Sequence, residues 1–199
     1  MRINCKILFW FLVIAIIPSG ITSFFGYQIA RNIVKKYVYN QLSTTAEGIH
    51  VRINSFIEIK EARIVDFSSD GFIRDQTERS SNLDYLQADL SNHLSRNKTP
   101  LDADILETFV MNMHGEIVAS SNPQHVGLNR PDADFFTGAK RQGVYVTDLH
   151  RCNDADEPVI EVSRFLSSRG NGKSKPIGVI VNRIKGSSLA NLLVNDVIG

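Results

Sequence analysis

Few residues in this chain stand together in a way that could do chemistry. The histidines His50, His93, His114, His125 and His150 are scattered. One close grouping is His150 and Cys152, with Asp154 and Asp156 beyond. Imidazole, thiolate and carboxylate are all metal donors, but neither a Cys-x-x-Cys pair nor a second nearby histidine completes a site. A polar loop explains the grouping better than a metal. Gly170-Asn171-Gly172-Lys173-Ser174 looks like the end of a phosphate-binding loop. That loop needs a glycine five residues before Gly172, and a helix behind it to aim N–H groups at phosphate. Ser167 stands at the first position, and a strand-like run begins near Ile177 at the second. A turn between strands is the reading that survives. No serine sits on a nucleophile elbow, and no acid pair stands apart from surface charge. The residues therefore display no catalytic constellation, and neither an enzyme, a metal nor a cofactor is expected from them.

The totals narrow the classes further. With 199 residues the chain is long enough for a membrane segment and one compact domain. A net charge of +1 gives no electrostatic case for a nucleic-acid partner. Of the two cysteines, Cys5 abuts a hydrophobic run and Cys152 lies in a polar stretch, so a structural disulfide between them is not expected.

What must position any site is a series of recognisable elements. Residues Ile7–Ala30 carry no charge, and Ile7–Ile17 is apolar throughout. At about 1.5 Å per residue this run is long enough to cross a bilayer core of about 30 Å. Arg2 and Lys6 before it favour a cytoplasmic amino terminus, while Arg31, Lys35 and Lys36 after it pull the other way. A cleaved signal peptide is the alternative, although no Ala-x-Ala site follows. The reading is an uncleaved anchor over residues 1–31. It makes a single-pass protein of the inner membrane, with residues 32–199 outside the cytoplasm.

From Asn32 to Asp70 apolar residues recur in steps of three and four: Ile33, Val38, Leu42, Ala46, Ile49, Ile53, Phe56, Ile57, Ile64 and Phe67. That period predicts one long amphipathic helix, with Gly71 as its stop. It could cover a sheet, pair with a second chain as a coiled coil, or do each along part of its length. Arg74–Asn82 reads as a polar loop, and Leu83, Leu86, Leu90 and Leu94 mark a second, shorter helix. The second half reads as strands Leu106–Met113 and Ile117–Ala119 around a His114-Gly115-Glu116 turn, a helix over 132–141, and strands Val144–Leu149, Val159–Leu166 and Ile177–Ile184. A final helix runs from Leu189 to Gly199. The fold class is α+β: an amino-terminal transmembrane helix, then a long amphipathic helix packed on an antiparallel sheet of about five strands.

In this order the segments resemble the extracytoplasmic Cache sensor domains of bacterial receptors, which are built on a PAS-like sheet. Met113-His114-Gly115-Glu116-Ile117-Val118-Ala119-Ser120-Ser121 resembles that family's first hairpin, and Val126-Gly127-Leu128 the segment after it. Phe135-Phe136-Thr137-Gly138-Ala139 resembles its pocket helix. Gly143–Asp148, Glu157–Ser163 and Pro176–Val181 resemble its next strands. The resemblance covers Asn32 to Leu193. It implies a sensing module of a membrane-bound histidine kinase, chemoreceptor or cyclic-dinucleotide enzyme, a small-molecule ligand, and a homodimer through the long helix. A structural or dimerisation module of a membrane protein is the alternative. Receptors with a double Cache domain continue past this point into a second sheet, a second span and an output domain. The chain then reads as the membrane-distal part of such a receptor, or as a short free-standing protein.

The resemblance also implies where a ligand would sit: Arg130, Asp134, Phe135, Phe136, Tyr145, Asp148, Ser163 and Arg183. Amino-acid-binding members carry an arginine where Ala133 stands and an aspartate where Arg183 stands. These departures weaken a zwitterion clamp and suggest an anion held by Arg183. The plain alternatives are that Phe135 and Phe136 are core and that Arg130 and Arg183 are surface residues. Tyr145 and Asp148 are three apart, so they share a site only if the strand bulges or ends between them.

Overall fold

The computed structural model describes residues 3–79, 84–152, 154–168 and 175–194. The chain divides into two compact units, Met1–Val51 and Arg52–Gly199. Helix α1 (Ile3–Ser69) runs through the first and into the second.

Among the described residues the first unit is helix alone. Its apolar side chains, among them Trp10, Phe11, Ile14, Phe24 and Phe25, lie exposed. By length and composition this helix can cross a membrane. The expected stripe continues exposed through Ile33, Val38 and Leu42.

In the second unit a six-stranded antiparallel sheet forms the centre. Its strands are β1 (Ile105–Met111), β2 (Ile117–Ser120), β3 (Val144–Val146), β4 (His150–Arg151), β5 (Pro158–Ser167) and β6 (Pro176–Lys185). They lie in the order β2-β1-β6-β5-β3, and β4 also pairs with β5. The side chains alternate between two apolar layers, as the two-residue period of a strand requires. On one face Val110, Ile160, Val162, Ile180 and Ile184 pack against Phe56, Ile64 and Phe67 of α1. Ile73 of α2 (Gly71–Arg79) and Leu90 of α3 (Asp84–His93) join the same layer. On the other face Phe109, Met111, Val179 and Val181 meet Phe135, Phe136 and Ala139 of α4 (Asp134–Gln142). Helix α5 (Gly186–Val194) closes the described chain.

Lys60 ties α1 to the segment before β1. It is only 4% exposed, and its ammonium donates to both Asp102 oxygens at 2.8 and 2.7 Å and to Asp104 at 2.6 Å. The hydrogen bond from Lys60 lowers the Asp104 carboxyl below its ordinary pKa and outweighs the upward push of burial.

Several expectations are corrected. Gly71 does not stop the long helix; it opens α2, and Asp70 makes the break. The Asp70 carboxylate accepts from the Phe72 N–H at 2.8 Å and so caps α2. Burial pushes that carboxyl's pKa up, but the combined pull of Lys98, the Phe72 N–H and His93 leaves it lowered. The polar stretch from Arg74 is therefore helical as far as Arg79, with Ile73 and Thr77 buried on its inner side. The expected strand Val144–Leu149 stops at Val146, and a separate short strand resumes at His150. The hairpin turn forms as expected: Gly115 has φ 86° and lies against Pro131, where a Cβ would come within 2.6 Å of backbone. The Gly170–Ser174 turn and the end of the final helix lie outside the described residues.

Candidate functional site

Three strands each carry one wholly buried charge among apolar neighbours, and the register sets these charges side by side. Glu107 of β1 pairs with Arg183 of β6, and Arg183 pairs with Glu161 of β5. All three are buried, at 3%, 2% and 0% exposure. Arg183 donates through Nη1 to Glu107 at 2.7 Å and through Nε to Glu161 at 3.3 Å. Its guanidinium also lies over the Phe109 ring, 5.4 Å from the centroid. The row continues at both ends into histidines: His125 Nδ1 is 2.8 Å from Glu107, and His150 Nε2 is 3.1 Å from Glu161.

A cavity of about 410 Å³ opens at the Glu161 end. Arg130 and Ala133 line it from the loop before α4, and Asp134 and Phe135 from the first turn of that helix. Tyr145 of β3, Thr147 and Asp148 after it, His150 and Arg151 of β4, Cys152 and Glu161 complete the wall. Gly138 places Tyr145 there: a Cβ on that glycine would sit 2.3 Å from the tyrosine ring. Thr147 is clasped to Glu161 from both sides. Its Oγ1 accepts the Glu161 N–H at 2.9 Å and donates to the carboxylate at 3.3 Å. Arg130 is paired with Asp154, towards which the Cys152 thiol also points at 3.7 Å.

A smaller cavity of about 270 Å³ lies at the other end of the row, lined by Glu107, His125, Asp154, Asp156 and Glu157 among others. Hydrogen bonds from the Ser187 hydroxyl and N–H hold the Glu157 carboxyl below its ordinary pKa. Among the described residues no three His, Cys, Asp or Glu side chains converge as metal ligands.

Of the eight residues singled out in the sequence, Arg130, Asp134, Phe135, Tyr145 and Asp148 line the larger cavity. Tyr145 and Asp148 share it because β3 ends between them. Three are placed otherwise. Phe136 is 2% exposed and packs in the layer between α4 and the sheet. Ser163 is fully buried, and its hydroxyl donates to the carbonyls of Phe135 at 2.7 Å and Tyr145 at 3.2 Å, joining α4 and β3. Arg183 is not among the lining residues, and two carboxylates already occupy its guanidinium. The anion expected there meets a charge that is already neutralised. Sequence reasoning missed Glu161, Thr147 and His150. The signal for Glu161 was available: a lone carboxylate within an apolar strand, matched by Glu107 and Arg183 in two others, marks a buried ion group.

No family model matches the chain, and no curated protein does. Solved structures do. The sensor domain of the Vibrio cholerae histidine kinase DctB superposes with a TM-score of 0.61 at 15% identity, covering 78% of this chain and 60% of that one. The ligand-binding domain of the Pseudomonas fluorescens chemoreceptor CtaA, in complex with L-alanine, gives 0.57 at 12% identity over 78% of this chain and 63% of that one. That of the Pseudomonas aeruginosa amino-acid chemoreceptor PctC, in complex with GABA, gives 0.57 at 13% identity over 77% and 64%. The chain thus spans somewhat less than two thirds of the length of each. Its central sheet, with helices on one face and α4 on the other, is the fold of these Cache-type periplasmic sensor domains.

Proposed function

We propose that the chain is the extracytoplasmic small-molecule sensing part of a membrane-anchored signalling receptor, with residues 1–31 as the anchor and 32–199 as the sensor. The cavity beside α4 carries this reading. It lies between the pocket helix and the sheet of a fold whose solved relatives include ligand-binding domains, and it is of a size for a small metabolite. Arg130, Asp134, Phe135, Tyr145 and Asp148 would contact the ligand, while Phe136, Ser163 and Arg183 hold the walls. A bound ligand acts on output only by favouring one arrangement of the domain over another. The apolar side chains left exposed on α1, Ile33, Val34, Tyr37 and Val38, support pairing of two copies along that helix. The test is a thermal-shift screen of the full chain in detergent against amino acids, amines and small mono- and dicarboxylates. A specific rise in Tm that saturates with concentration supports sensing. Silence across the panel favours a purely structural, dimerising module.

A further inference from the structure

The face of the sheet that α1 covers also carries a charge. Along β5 the side chains of Ile160, Val162 and Leu166 lie in the apolar layer under the helices, and Arg164 takes the place between Val162 and Leu166 in that row. It is half-buried, next to the carboxyl-terminal end of α1. A cavity of about 190 Å³ opens there. Arg164 and Ser167 of β5, Ser68 and Ser69 of α1 and Arg74 of α2 line it, and no carboxylate is among its lining residues. Asp66 and Asp75 stand near in sequence, but neither is part of the wall. The Asp70 carboxylate is engaged by Lys98 and His93.

Arg74 is fixed in place by neutral partners. Its Nε donates to the Ser167 carbonyl at 2.6 Å and its Nη2 to the Ser168 carbonyl at 2.9 Å. Carbonyls orient a guanidinium without cancelling its charge. Among the described residues the Arg164 side chain meets no hydrogen-bond or ion-pair partner. Ser68 and Ser69 spend their hydroxyl hydrogens on the carbonyls of Val65 and Asp66, each at 2.7 Å. The donors left to this cavity are therefore guanidinium N–H groups, five on each arginine, of which Arg74 has spent only those to Ser167 and Ser168. Two like charges on one small cavity repel, and partial burial weakens the screening that water would give them. An oxyanion between them removes the repulsion and accepts from both forks.

We propose that this cavity is a binding site for a small oxyanion, such as a phosphate or carboxylate, held between Arg74 and Arg164. It lies on the opposite face of the sheet from the cavity beside α4 and does not depend on the sensing reading. Its volume is below that of a site for a drug-sized ligand, so it selects small ions. The bound anion joins α2 to β5 beside the end of α1, and so favours the arrangement in which these three elements stay together.

Inorganic phosphate and sodium acetate are the probes, each titrated into isotope-labelled full-length protein in a neutral detergent. NMR follows the Nε–H signals of the arginine side chains, and sodium chloride at matched ionic strength is the control. At least one oxyanion should move the Arg74 and Arg164 signals along a saturating curve, and chloride should not. Arg164→Gln keeps a polar side chain on the strand but removes the charge. It should weaken the probe by about tenfold or more, as for loss of a charged hydrogen-bond partner. Arg164→Lys keeps the charge without the planar fork and should fall between the two. The oxyanion that binds should also raise the Tm of the wild type and leave that of Arg164→Gln where it was. Shifts that fail to saturate, that chloride reproduces, or that survive Arg164→Gln unchanged overturn the proposal. If the variants do not fold, the wild-type titration still decides, because two oxyanions that both leave the Arg74 and Arg164 signals in place have no site here.

Discussion

At the scale of single residues the decisive feature is a charge in the middle of each of three apolar strands. Arg183→Ala should leave Glu107 and Glu161 buried without their shared guanidinium, and breaking a buried pair in this way costs about 3–5 kcal/mol. Chemical denaturation of the detergent-solubilised chain measures it, and a loss within about 0.5 kcal/mol, the range of surface changes, would show the row to be dispensable. Gly138 offers a second test. A methyl at this position meets the Tyr145 ring at 2.3 Å, so Gly138→Ala must push the ring or the helix away. Overpacking of this kind costs about 1–3 kcal/mol, and because Tyr145 lines the cavity, any ligand from the screen should bind more weakly to the variant. Unchanged binding together with unchanged stability would mean that Tyr145 relaxes freely. The lone strand charges could be read from the sequence as buried ions. Their mutual pairing could not, because it depends on the register of β1, β5 and β6, which no local pattern encodes.

At the scale of elements, the long helix changes role along its length, and the residues say where. Ile33, Val38 and Leu42 stay exposed, whereas Ile64 and Phe67 are wholly buried against the sheet. The helical period was plain in the sequence, but the place where the stripe turns from exposed to buried was not. Apolar spacing is the same whether the partner is a sheet, a second chain or lipid. Phe67→Ala should therefore destabilise by about 3–5 kcal/mol, while Leu42→Ala should leave unfolding within about 0.5 kcal/mol. Equal losses at the two positions would contradict the division. Likewise α2 was hidden because its polar face outnumbers its buried Ile73 and Thr77, and its start depends on the Asp70 cap. The Lys60 tie adds a dependence on pH. The Asp104 pKa is lowered in the folded state, so its contribution is fully present above its unfolded value and disappears as pH falls through the still lower folded one. Asp104→Asn should remove that part of the acid sensitivity. An acid-unfolding profile of the same shape in variant and wild type would show that the tie carries no such linkage.

At the scale of the whole molecule, the succession of long helix, second amphipathic helix, hairpin, pocket helix and later strands was legible, since each rests on period and turn chemistry within short windows, whereas α2, the split of β3 from β4 and the order of strands in the sheet were not. The proposed membrane orientation rests on the apolar run and on Arg2 and Lys6 before it, against Arg31, Lys35 and Lys36 after it. Alkaline phosphatase fused after Gly199 should be active in a bacterial host, and a stable but inactive fusion would reverse the topology. The least legible part was the site: five of the eight nominated side chains reach the cavity, but its most buried carboxylate was not among them. The charged row has one more consequence, for how the sheet assembles. Strands β5 and β6 pair over most of their length, and long apolar strands of this kind can slide past one another. A slip of one residue would turn Arg183 into the apolar layer under α1 and strand both glutamates on the opposite face. Few misaligned sheets could tolerate that, so the three buried charges also favour the native alignment of the central strands while the chain folds.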